Sequence, residues 1–267
     1  MRLTNVDELS DDEIGAWLET IIAGAEKCYP GEPIHLSYGQ HEQQVLDIWG
    51  DPQSFTLIVC VHGGYFAEEY DRSVNEALVR RLAHAGALVA NLEYRRSGSC
   101  ESPSQSVDDV HAGIAFVQGL YTRAKQVVVL GHSAGGYLCL AASAAPGVTS
   151  VLPLAPVTYL RETCEGGYDE GAITKWMGIA RADDPKSWEL MELQSMKLGS
   201  AICTIIHGVD DRVVPIEHSV RFASKYAEMG GVVRLLQLPD VGHYEFLDPE
   251  SLAVEAVFAA LGLGSKV

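Results

Sequence analysis

Basic residues are scarce in this chain. Lysine and arginine number 19 against 36 aspartates and glutamates, a formal net charge of −17 over 267 residues. A surface of that sign repels phosphate backbones and anionic lipid, so neither nucleic acid nor a membrane is expected as a partner. The plain role of the acidity is solubility; attraction of a cationic substrate is the sharper alternative. Long apolar runs are missing too, and no stretch approaches the ~18 residues a membrane span needs. The opening residues, MRLTNVDELSDDE, lack a basic segment followed by an apolar core, so no signal peptide is expected. Cysteines are few and scattered. Cys28, Cys60, Cys100, Cys139, Cys164 and Cys203 form no C-x-x-C pair. Cys60, Cys139 and Cys203 lie in apolar segments and read as small core residues. These absences favour a cytoplasmic location, although an even cysteine count leaves disulfides formally open. A chain this long buries enough surface to fold without disulfides or a metal.

What is present is a strong alternation of short apolar runs and helical stretches. Residues 10–28 predict an amphipathic helix, opened by the capping-box pair Ser10 and Glu13 and carrying Ile14, Trp17, Leu18, Ile21, Ile22 and Ala25 at helical spacing. Pro30-Gly31 stops it, and a hairpin follows with strands near 34–38 and 44–49. From residue 56 onward, runs at 56–61, 87–94, 126–131, 150–155, 201–208 and 232–239 are continuously apolar, as expected of parallel strands covered on both faces. Helices are predicted between and after them near 72–85, 104–121, 134–145, 217–229 and 249–261. That order predicts an α/β fold with right-handed crossovers in a single domain. Residues 156–200 break the rhythm. This segment predicts a helical cap over the C-terminal edge of the sheet; the alternative is a lengthened crossover helix.

The motif that carries chemistry is Gly131-His132-Ser133-Ala134-Gly135-Gly136, placed between an apolar strand and a helix. A G-x-S-x-G turn in that context holds a serine on a strained corner above the sheet. A serine hydroxyl needs a base, and His243, in the loop after the last strand, is preferred over His207 and His218 by its position. His207 is expected to pack or cap at a strand end, and His218 to be solvated at a helix start. The histidine in turn needs a carboxylate, for which the turn after the preceding strand offers Asp210 and Asp211. His62-Gly63-Gly64-Tyr65-Phe66 follows the strand at 56–61, and the N–H groups of Gly64, Tyr65 and Ala134 are the candidate oxyanion donors. His62 is expected to brace that loop. Tyr65, Phe66, Trp176 and Trp188 are aromatics for a substrate pocket, Phe66, Trp176 and Trp188 being the candidate substrate-binding residues; packing of cap against core is the alternative. No H-e-x-x-H spacing exists, so neither metal nor cofactor is expected.

HGGYF, GHSAGG and GVDDRVVP with Gly242-His243, in that order, resemble the α/β-hydrolase superfamily over residues 34–262. The resemblance implies a mostly parallel eight-stranded sheet with one antiparallel strand, and a triad of Ser133, Asp211 and His243. It favours Asp211 over Asp210, which is left to cap the next helix or pair with Arg212. Tyr38-Gly39 with Leu46-Asp47-Ile48-Trp49 is similar to the small carboxylesterase and kynurenine-formamidase branch. Tyr65 stands where hormone-sensitive-lipase-type esterases carry a third glycine, and Phe66 where such formamidases carry Trp. Glu245 is either a functional acid or a solvated loop carboxylate. The expected activity is hydrolysis of a small or medium carboxylic ester through an acyl-enzyme. The alternatives are an arylformamidase-type amide hydrolase and a ligand-binding protein without turnover. The N-terminal extension, 1–30, is a candidate cover for the pocket or a candidate homodimer contact.

Overall fold

The computed structural model describes residues 6–264; the first five residues of the predicted N-terminal extension lie outside that range. Eight strands form one sheet: β1 (Ile34–Ser37), β2 (Val45–Gly50), β3 (Thr56–Val61), β4 (Leu88–Leu92), β5 (Gln126–His132), β6 (Ser150–Leu154), β7 (Ile202–Gly208) and β8 (Val233–Leu238). Their spatial order is β1-β2-β4-β3-β5-β6-β7-β8. Only β2 runs against its neighbours, pairing antiparallel with both β1 and β4. The fold is that of the α/β-hydrolases, with the mostly parallel sheet the sequence predicts.

The continuous apolar runs follow from helices on both sides of the sheet. Leu57, Val59 and Val61 face one core while Ile58 and Cys60 face the other. The first core is closed by α3 (Ser104–Leu120), α4 (Ala134–Ala141) and α8 (Ile216–Glu228), through residues such as Ile114, Leu138 and Phe222. The second is closed by α2 (Glu76–His84) and α9 (Leu252–Leu261), through Leu78, Leu82, Val254 and Phe258. Along β3 both faces are therefore apolar, and the period-2 signal disappears into a solid run.

Two additions flank the sheet. The amphipathic helix α1 (Asp11–Cys28) begins where Glu13 accepts the backbone N–H of Ser10 at 2.9 Å, and it packs against α2. Between β6 and β7 the chain makes three short helices, α5 (Leu160–Glu165), α6 (Ala172–Met177) and α7 (Pro185–Met191), in place of a single crossover helix. All six cysteines are free thiols. Among the described residues no helix is long and apolar enough to cross a membrane.

Candidate active site

Ser133 sits at the corner between β5 and α4 with φ 56° and ψ −117°, a conformation that costs a non-glycine residue about 1–3 kcal/mol. Its neighbours make the corner sterically feasible. A Cβ on Gly131 would stand 2.1 Å from the carbonyl oxygen of Gly135, and one on Gly135 would stand 2.2 Å from that of Val61. The strain is held by backbone bonds to β6 and beyond: Ser133 N donates to Leu154 O at 2.9 Å, and Val157 N donates to Ser133 O at 3.2 Å.

His243 follows β8 and is 2 % exposed. Its Nδ1 lies 2.7 Å from Oδ2 of Asp211, whose side chain is fully buried in the turn after β7. The other oxygen of Asp211 accepts N–H bonds from Val213 at 2.9 Å and Val214 at 2.7 Å. Oδ2 also takes His207 Nε2 at 3.0 Å, while His207 Nδ1 meets Ser219 Oγ at 2.7 Å. Burial alone would raise the Asp211 pKa. The charge of His243 and the hydrogen bonds of both histidines outweigh it and hold the carboxyl well below its usual range. For His243, burial opposes protonation, but Asp211 raises its pKa, with Asp7 and Glu245 adding.

Ser133 and His243 border one cavity of about 50 Å³, with Gly64, Tyr65, Tyr70 and Tyr244. Ser133 also borders a second, tighter cavity of about 10 Å³ with Ala134, Phe66, Val157 and Ile173. The N–H groups of Gly64, Tyr65 and Ala134 donate to no described residue, leaving them available beside the serine. Gly64 has φ 101°, and a Cβ there would meet Tyr70 at 2.4 Å. Tyr65 and Phe66 continue in the same left-handed region at φ 57° and 55°, where a third glycine would be unstrained.

His62 braces the glycine loop. Its Nε2 lies 3.0 Å from Glu93 Oε1, and the loop is further tied by Tyr94 Oη donating to His62 O at 2.9 Å. Glu93 is buried, which raises its pKa, but His62 and then Arg96 bring it down to about 2. Glu93 lies in an apolar run and carries no local sequence signal for this task.

Several expected placements are corrected. His218 is not solvated: it is 6 % exposed, with its ring against Tyr159 and Tyr168. Asp210 is exposed, and Arg212 pairs with Glu8 rather than with it. Glu245 is half-buried and accepts the Gly242 N–H at 3.1 Å, so it shapes the histidine turn. Trp176 and Trp188 border neither cavity at Ser133. Trp176 stacks on Phe66 with centroids 3.9 Å apart and donates to Ser106 Oγ, and Trp188 donates to Ile179 O inside the cap. Both of these indole N–H groups have found partners in the packing, the outcome that large aromatics favour. Phe66 is the one of the three that borders a cavity at the serine. Besides Glu93, sequence reading misses Asp7, whose carboxylate accepts the His243 N–H at 2.8 Å. Among the described residues no cluster of histidine, cysteine or carboxylate side chains is arranged to hold a metal ion.

Comparison with known proteins places the fold. The model of the prolyl oligopeptidase family matches residues 90–257. A kynurenine formamidase from Aspergillus versicolor, avaC, is 26% identical over 218 residues, covering 66% of this chain and 71% of that protein. Esterase B from Lactobacillus rhamnosis superposes with a TM-score of 0.71 at 18% identity, covering 94% of this chain and 92% of that one. Esterase 2 of Thermogutta terrifontis, phosphonylated by sarin, superposes with a TM-score of 0.69 at 18% identity, over 90% of this chain and 98% of its own.

Proposed function

The chain belongs to the prolyl oligopeptidase family of α/β-hydrolases, and from that premise we propose that it is a serine hydrolase acting on small esters through an acyl-enzyme. The observation that carries this reading is the strained Ser133 sharing a cavity with His243, whose Nδ1 is held 2.7 Å from buried Asp211. His243 takes the proton from Ser133 as the hydroxyl attacks the substrate carbonyl. The N–H groups of Gly64, Tyr65 and Ala134 receive the oxyanion. His243 then protonates the leaving group, and water cleaves the acyl-enzyme by the same route.

The two cavities give the substrate a direction. His243 must hand its proton to the leaving group, so the leaving group belongs in the cavity that His243 borders. The acyl group then belongs in the tighter one, beside Ala134. About 10 Å³ is close to the room one water needs, so a formyl or acetyl group fits and a long chain does not. A polypeptide is a poor match to spaces of this size. The same smallness, with the likeness to a kynurenine formamidase, supports a second reading in which the bond cleaved is an aryl formamide.

A fluorophosphonate probe separates these readings from a non-catalytic role on the same scaffold. The expected result is stoichiometric labelling that Ser133→Ala abolishes and Asp211→Asn slows by roughly 10³-fold or more. A folded wild-type protein that does not label would end the enzyme reading. Nitrophenyl acetate against N-formylkynurenine, compared by kcat/KM, then orders ester and formamide.

A further inference from the structure

The N-terminal segment reaches the site from the opposite end of the chain. Asp7 lies in a 3-10 turn, Val6–Glu8, just ahead of α1. Its carboxylate accepts the backbone N–H of His243 at 2.8 Å through Oδ1 and 2.9 Å through Oδ2. It also accepts those of Arg212 at 3.0 Å and Tyr244 at 3.4 Å. The packing is tight, since a Cβ on Gly242 would stand 2.7 Å from Asp7 Oδ2. One carboxylate therefore ties the loop after β7, which carries Asp211, to the loop after β8, which carries His243. Hydrogen bonds from N–H groups to an ionised acceptor are about twice as strong as neutral ones. Beyond the tie, Asp11, Ile14 and Leu18 bring the first turns of α1 along the same cavity as Ser133 and His243.

We propose that Asp7 is a positioning residue for the His243–Asp211 pair, setting the distance between their loops and presenting negative charge at the His243 backbone. The proposal rests on the reading of His243 as the base. The groups that face His243 are Asp211 at Nδ1, Asp7 at its backbone, Glu245 in the same turn, His132 with ring centroids 4.6 Å away, Tyr244 at 5.2 Å, and Ser133 across the cavity. Asp7 joins Asp211 in raising the pKa of His243. The base must be neutral to act, so activity rises with pH through that pKa. Removing the charge of Asp7 lowers it and moves the acid limb of kcat/KM to lower pH.

The test compares wild type, Asp7→Ala, Asp7→Asn and the control Asp12→Asn by kcat, KM and pH profile on nitrophenyl acetate, with fluorophosphonate labelling and thermal melts alongside. Asp7→Ala is expected to lose roughly tenfold or more in kcat with little change in KM. Asp7→Asn, which keeps an acceptor oxygen without the charge, should lose less and fold even if the alanine variant does not. Both should shift the acid limb to lower pH, and Asp12→Asn should not. Wild-type kcat and an unmoved acid limb in Asp7→Asn overturn the proposal. A folded wild type that neither labels nor turns over overturns the base assignment itself, a result distinct from the failure of Asp7 alone.

Discussion

Asp211 serves two histidines, and its four hydrogen-bond partners leave it no freedom to turn. The turn that carries it is legible because the acid and the histidine each follow a strand end; only the family resemblance favours Asp211 over Asp210 within it. The supports were not legible. Asp7 acts across 236 positions of chain, and Glu93 reads as part of an apolar run, so neither leaves a local pattern. His132 is similar: within the G-x-S-x-G motif it reads as a spacer. It is in fact buried, with Nε2 2.9 Å from the backbone oxygen of His243. Burial first, and the neighbouring His243 second, push its pKa from 6.5 down to about 3. The unfolded chain takes up that proton near 6.5 while the native state refuses it, so this group favours folding above that pH. As pH falls from 6.5 toward 3 the contribution is lost. His132→Gln keeps a donor for His243 O and has no such titration. Urea unfolding at pH 7, 6 and 5 should show a shallower acid decline for the variant; identical slopes would place the acid sensitivity elsewhere.

Among the elements, the long crossover helices and buried strands were readable because each carries a sustained pattern. The cap was readable only as an interruption, because α5, α6 and α7 span six or seven residues and are too short to establish a periodicity. Its tryptophans were ambiguous for a related reason: an aromatic for a ligand and an aromatic for packing are the same residue in sequence. Packing won, and it positions the site. Trp176 lies flat on Phe66 and edge-on to Tyr137, which fixes α6 over the glycine loop and sets Ile173 into the smaller cavity at Ser133. Acyl length should therefore be limited by the cap. Activity on nitrophenyl esters should fall at least roughly tenfold from acetate to hexanoate, a loss within the 1–3 kcal/mol that overpacking costs. Ile173→Ala, which removes three methyl or methylene groups from that wall, should narrow the difference. A chain-length profile identical to wild type would mean that the acyl group lies outside this cavity.

At the scale of the whole molecule, the cleft is made by what was added to the sheet. The eight strands place serine, acid and histidine at one edge, while the N-terminal segment and the helices between β6 and β7 border the cavities beside them. Part of the chain's acidity lies on this approach. Asp11 and Glu170 act on Tyr65, and Asp11 and Glu69 act on Tyr70, raising the hydroxyl pKa values after burial has done so. Both tyrosines border the larger cavity at Ser133 and His243, and Asp11 borders it with them. With a net charge of −17 behind those carboxylates, an ester whose leaving group carries a quaternary ammonium should be preferred over its carboxylate-bearing counterpart. Screening separates this from a steric preference, because the Debye length shrinks from about 10 Å at 0.1 M salt to about 3 Å at 1 M. The ratio of kcat/KM values for the two esters should fall toward one across that range, mostly through KM. A ratio that ignores salt would mean the acidic surface keeps the protein in solution and does nothing to sort its substrates.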